Sequence, residues 1–136
     1  MDVVFLVARI LFVLMFVMSG MAHFRKDSLE YARGLGAPLP EVLVPLSGVA
    51  IVAGGLMIGL GVWADLGALI LGAFVLLVAP IAHAFWKESD EQMAMMQMGH
   101  FMKNMALAGG ALVIFWVYNQ LQDLPLSITN SLFNAW

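Results

Sequence analysis

Arg9 stands about two turns into an otherwise apolar run, between Ala8 and Ile10. By helical rise it lies roughly 9–10 Å along the axis, where a guanidinium in lipid costs on the order of a few kcal/mol. Its structural reading is snorkelling to the nearer surface, or pairing with Asp65 or Asp2. Its functional reading is contact with an anion or a quinone headgroup inside the protein. The three histidines, His23, His83 and His100, each border a long apolar stretch. A metal or haem site would need them on facing helices within a few ångströms. A neutral imidazole bonded to backbone or water at a lipid surface is the commoner outcome. Lys103 and Asn104 form a polar pair at the head of the last apolar stretch. Lys103 can snorkel there, and Asn104 can bond to a neighbouring helix or to a ligand. Between Met93 and Met102 lie five methionines and one histidine. Thioethers and imidazole suit Cu(I), so His100, Met96 and Met98 are the candidate metal ligands. Methionine is also a pliable apolar filler for adaptable interfaces, and that reading asks less of the segment.

These residues are carried by four apolar stretches, at about 3–24, 42–62, 66–86 and 104–121. A hydrocarbon core of roughly 30 Å takes about 20 apolar residues as helix, which each stretch meets or nearly meets. The 62% hydrophobic content and mean hydropathy of +0.94 lie far from soluble composition. The expected fold is therefore all-α: an integral membrane four-helix bundle, one domain over residues 1–136, with a short interfacial tail at 125–136. The lipid bilayer is its first partner. A net charge of −3 and six scattered Lys and Arg carry no nucleic-acid signal. The absence of cysteine excludes disulfides, thiolate metal sites and thiol redox chemistry from this chain. Asp2 replaces a basic leader region, and no A-x-A cleavage signal follows, so the first stretch is expected to be retained.

Four spans place both termini on one side with the turn around Trp63 to Asp65. Arg25, Lys26, Arg33, Lys87 and Lys103 all flank the other two loops. Such loops stay cytoplasmic, so the termini are predicted outside. The first loop carries a short helix over Ser28–Arg33, a break at Gly36-Ala37-Pro38, and Pro40 opening the second span. Trp63, Trp86, Trp116, Tyr118 and Trp136 fit an aromatic belt. Ile128, Leu132 and Trp136 recur every four residues, which predicts a short surface helix. Small residues in the second and fourth spans, notably Gly54, Gly55, Gly59, Gly109 and Gly110, predict close helix contacts, within the bundle or between protomers of a homo-oligomer.

Several of these motifs, in this order, resemble the DoxX family of small four-helix membrane proteins. The first span reads Ala8-Arg9-Ile10-Leu11-Phe12 and closes on Ser19-Gly20-Met21-Ala22-His23-Phe24. Leu35-Gly36-Ala37-Pro38 is similar to the family's approach to its second helix, and Ala53-Gly54-Gly55-Leu56 to that helix itself. Ala82-His83-Ala84-Phe85-Trp86 resembles the close of the third, and Phe101-Met102-Lys103-Asn104 through Gly109-Gly110 the fourth. The family commonly has a glutamate three residues before the glycine pair; Ile51 stands here. The resemblance implies a bacterial or archaeal cytoplasmic (inner) membrane protein, associated with oxidoreductase or stress-response complexes. Its leading functional expectation is a non-catalytic anchor or assembly subunit with a protein partner. The alternative is a quinone-interacting subunit using Arg9, His83, Lys103 and Asn104. A small transporter is the third reading, and copper or haem the least supported cofactors.

Overall fold

The computed structural model describes residues 1–121 and 124–133. Among the described residues five α-helices follow one another: α1 (Asp2–Ala22), α2 (Lys26–Gly34), α3 (Pro40–Leu60), α4 (Ala64–Ala82) and α5 (Glu91–Gln120). A 3₁₀ turn, Phe85–Lys87, joins the last two. The helices α1, α3, α5 and the segment Ala64–Lys87 are long and apolar enough to cross a membrane. Their outer surfaces are inside-out by aqueous standards: Leu11, Leu77 and Val113 are each more than 60% exposed. An apolar surface of this kind suits the interior of a bilayer.

In lipid the hydrophobic effect does not draw helices together, so close backbone approach must do so. The bundle runs α1–α3–α4–α5 around its circumference. A Cβ on Gly67 of α4 would lie 2.7 Å from the Gly54 carbonyl oxygen of α3, and one on Gly48 of α3 would lie 3.0 Å from that of Gly20 in α1. Gly55 faces Val17 across the same α1–α3 seam, and Gly59 faces Val13 at ordinary contact distance. The circle closes between α5 and α1 through side chains, where Phe12 covers Gly110. Gly109, expected to pack, has open space beside it. Ile51 is fully buried among Phe16, Leu71 and Val75 in the apolar core.

The sequence reading is corrected at three places. The helix that carries the fourth apolar stretch starts at Glu91, well before Asn104. Hydropathy stops at the polar residues around position 100, but backbone propensity does not. Met, Ala and Gln are good helix formers, and the Asp90 carboxylate accepts the Met93 amide at 2.8 Å as a cap. The resulting 30-residue helix is roughly 45 Å long and outreaches the bilayer core. The second correction concerns the tail: residues 124–133 form turns and bends instead of a helix. Their backbone groups find partners on the α3–α4 turn, where the Ile128 and Thr129 amides both donate to the Gly61 carbonyl (3.0 and 2.9 Å). Leu126 adopts a left-handed φ of 55° there. Asp123 and Trp136 lie outside the described residues. Third, Tyr118 is not a belt residue. It is 1% exposed, facing Arg9.

Helix α2 lies across the opposite end of the bundle. Its Ser28 hydroxyl donates to the Ala22 carbonyl (2.8 Å) and its Tyr31 hydroxyl to that of Ala82 (3.0 Å). Both acceptors are last-turn carbonyls without an intrahelical partner. The chain then reverses through Gly36 (φ 69°) and Leu39 (φ 43°) into Pro40, and Arg33 pairs with Glu41 at 2.9 Å.

Candidate functional site

Polar side chains gather at two ends of the bundle. At the end that holds the termini, Arg9 is 2% exposed. Its guanidinium donates to the Tyr118 hydroxyl (2.7 Å), the Ser127 hydroxyl (3.0 Å) and the Leu126 carbonyl (2.6 Å). Its charge also sits 5.2 Å from the Phe5 ring centre. Arg9 therefore neither snorkels nor pairs with Asp2 or Asp65: dipoles, not an anion, hold it. Asp65 is fully buried nearby in the fold, and one of its oxygens accepts from the Ser131 hydroxyl (2.6 Å) and the Phe133 amide (2.8 Å). Among the described residues, Arg9 Nε and Asp65 Oδ1 have no partner. The tail thus straps both buried charges, and the end is closed.

The end beneath α2 is open. Gly54 and Gly67 pinch α3 and α4 together toward their connecting turn. Farther from that turn, residues 43–50 of α3 and 74–83 of α4 line a cavity of about 750 Å³. Met15, Phe16, Leu43, Val44, Phe74 and Val78 make its walls mostly apolar. Leu46, Leu77 and Ile81 line it too and are each more than half exposed, so its mouth faces the lipid side of α3 and α4. Helix α2 roofs it with Ser28 and Tyr31.

His23, His83, Lys103 and Asn104 all border this cavity. His23 follows the last turn of α1, and its Nδ1 donates to the Ser19 carbonyl at 2.7 Å. His83 caps α4, with Nδ1 2.8 Å from Gln97 Oε1 and its ring stacked on His100 at 5.1 Å. Phe85, Trp86 and Phe101 pack edge to face beside it and pin the 3₁₀ turn to α5. Asn104 is 5% exposed, and no protein group among the described residues bonds its amide. Arg9 does not belong here: the 14 positions separating it from His23 on α1 amount to roughly 21 Å of helix.

The proposed metal trio is not brought together either. On α5, Met96 and His100 are one turn apart and share a face. Met98 is rotated about 160° from both at 100° per residue, so the three cannot ligate one ion. Among the described residues no group of three or more His, Asp or Glu is placed to hold a metal.

The sequence reading put Tyr118 in the aromatic belt and missed its bond to Arg9, and it did not reach Ser127 or the Tyr31 latch. Tyr118 had a usable signal, since four spans bring the end of α5 beside the start of α1. Ser127 and Tyr31 had none, because irregular and surface segments leave no periodicity to read.

Comparison with known proteins agrees with this architecture. The family model for DoxX matches residues 4–84, which span α1 to α4. The resemblance noted around Phe101–Gly110 lies beyond that match. The inner membrane protein YphA of Escherichia coli (strain K12) is 29% identical over 114 residues, covering 82% of this chain and 81% of that protein. No solved structure matches.

Proposed function

The chain belongs to the DoxX family, and from that premise we propose that it is an inner-membrane subunit of a redox or stress-response assembly, holding a quinone-class lipid for that assembly. One observation carries the reading: the cavity of about 750 Å³ between α3 and α4, apolar along its walls and polar at one end. Ligand sites of roughly 300–1,000 Å³ with few, placed polar groups are the common form of small-molecule pocket. A mouth bordered by Leu46, Leu77 and Ile81 admits a ligand from the bilayer, so an isoprenoid tail never has to cross water. His23, His83, Lys103 and Asn104 then meet the headgroup. Arg9, which sequence reasoning grouped with them, has a structural part at the far end.

The inner-membrane assignment draws on the E. coli relative, an inner membrane protein. Orientation follows from charge. Arg25, Lys26, Arg33, Lys87 and Lys103 all lie at the α2 end, which the positive-inside rule puts in the cytoplasm. The cavity then opens in the inner leaflet, and the strapped end faces outward.

The test is quinone retention in lipid nanodiscs. Wild-type protein should hold quinone well above protein-free nanodiscs. Ala50→Phe and Val78→Phe, which fill the cavity from facing helices, should lower bound quinone about tenfold, with thermal midpoints within a few degrees of wild type. Wild-type protein no richer in quinone than the empty discs would rule the reading out.

A second reading, an anchor for a protein partner, is favoured by α5. Its first turns carry Met93, Met95, Met96, Met98 and Met102, all at least 42% exposed, on a helix longer than the bilayer requires. Pliable thioether surfaces suit partner binding, and such a partner would sit directly beside the cavity roof.

A further inference from the structure

Resting on the reading of the cavity as a quinone-class site, we infer that it selects the reduced, hydroxyl-bearing ring, and that His23 is the residue that makes the selection. A carbonyl oxygen can only accept, so the 2.7 Å contact from Nδ1 to the Ser19 carbonyl requires the proton on Nδ1. In the neutral ring this leaves Nε2 as a bare acceptor. The ring is held in that pose. Phe74 packs on it edge to face at 5.8 Å, and the missing side chain of Gly48 is what makes room for its Cβ.

The hydroxyls around it reinforce the same bias. Ser28, Tyr31 and Ser47 line the cavity, yet each has already donated its proton to a backbone carbonyl, of Ala22, Ala82 and Val44 respectively. What they offer a ligand is oxygen lone pairs. The Lys103 ammonium, the Asn104 amide and the Ser19 hydroxyl are the lining side chains with protons to give.

A quinone carries only carbonyl acceptors. Placed here it can bond to Lys103 or Asn104 but leaves His23 Nε2 facing another acceptor. A quinol supplies the missing proton: one hydroxyl donates to His23 Nε2, and the other accepts from Lys103 or exchanges bonds with Asn104. A half-buried acceptor left without a donor weakens binding by about tenfold.

The experiment compares a benzoquinol with the benzoquinone bearing the same isoprenoid tail, anaerobically, on the full chain in nanodiscs. Quinol should bind about tenfold more tightly. His23→Phe, which retains an aromatic ring but removes the acceptor, should reduce the preference to about twofold or less, chiefly by weakening the quinol. A second measurement needs no variant: in wild-type protein labelled with ¹⁵N-histidine, the His23 Nε2 resonance should move with quinol and stay put with quinone. Equal affinities, a preference surviving in His23→Phe, or an unmoved His23 signal would each overturn the inference while leaving the quinone site in place. Failure of both ligands to bind would overturn the site and the inference together.

Discussion

A chain cut after Asp123 is expected to lose roughly 4 kcal/mol or more of stability, read as a large fall in thermal midpoint in mild detergent. Two buried ions are responsible. Arg9 would lose the Leu126 carbonyl and the Ser127 hydroxyl, keeping the Tyr118 hydroxyl and the face of the Phe5 ring. Asp65 would lose both the Ser131 hydroxyl and the Phe133 amide. A charge deprived of partners inside a bundle is among the costliest single defects a protein can carry. The physical cause can be isolated by combining the cut with Arg9→Met and Asp65→Asn. If orphaned charge is the cost, the double substitution should restore much of the stability in the shortened chain and restore nothing in the full-length one. Equal midpoints for cut and uncut wild-type chains would show that the strap contributes no such support.

Gly67→Val should be nearly as damaging, by a different route. The first added carbon would fall 2.7 Å from the Gly54 carbonyl oxygen and 2.9 Å from Met57 Cβ. Backbone stands on one side and a side-chain root on the other, so α3 and α4 must separate. Overpacking typically costs about 1–3 kcal/mol, and the β-branched side chain places this variant at the upper end. Gly109→Ala is the matched control. Nothing lies within 4 Å of its added carbon, and its stability should be unchanged or higher by up to about 1 kcal/mol. Chemical unfolding in the same detergent compares the two directly. A Gly67→Val protein as stable as the Gly109→Ala protein would mean that the α3–α4 crossing is not the close contact described.

Hydropathy made the four spans legible, because a bilayer imposes a length and tolerates few charges. The short helix α2 was legible too, as a polar segment between a helix end and the Gly36–Pro38 break, with Pro40 preset for a first helical turn. The length of α5 was not. Its early turns are held by the Asp90 cap and by the packing of Phe101 on Phe85 and Trp86, and neither leaves an apolar run. The tail failed for the opposite reason: a four-residue spacing was present, yet Gly61, Arg9 and Asp65 compete for the same backbone and side-chain groups. At the site, His83, Lys103 and Asn104 were recognisable as polar residues bordering apolar spans. The cavity joining them was not recognisable, since residues of all five helices line it and no single stretch of sequence marks it.

The strap across the end that holds the termini bears on how this protein should be handled. Phe133, whose amide is tied to Asp65, is with Ser131 one of the two points that fasten the strap to that carboxylate. An affinity tag or fluorescent reporter fused there tugs on the fastening of a buried carboxylate. Met1, 98% exposed, offers a handle at the same membrane face without that burden, and reporters of sidedness belong on it.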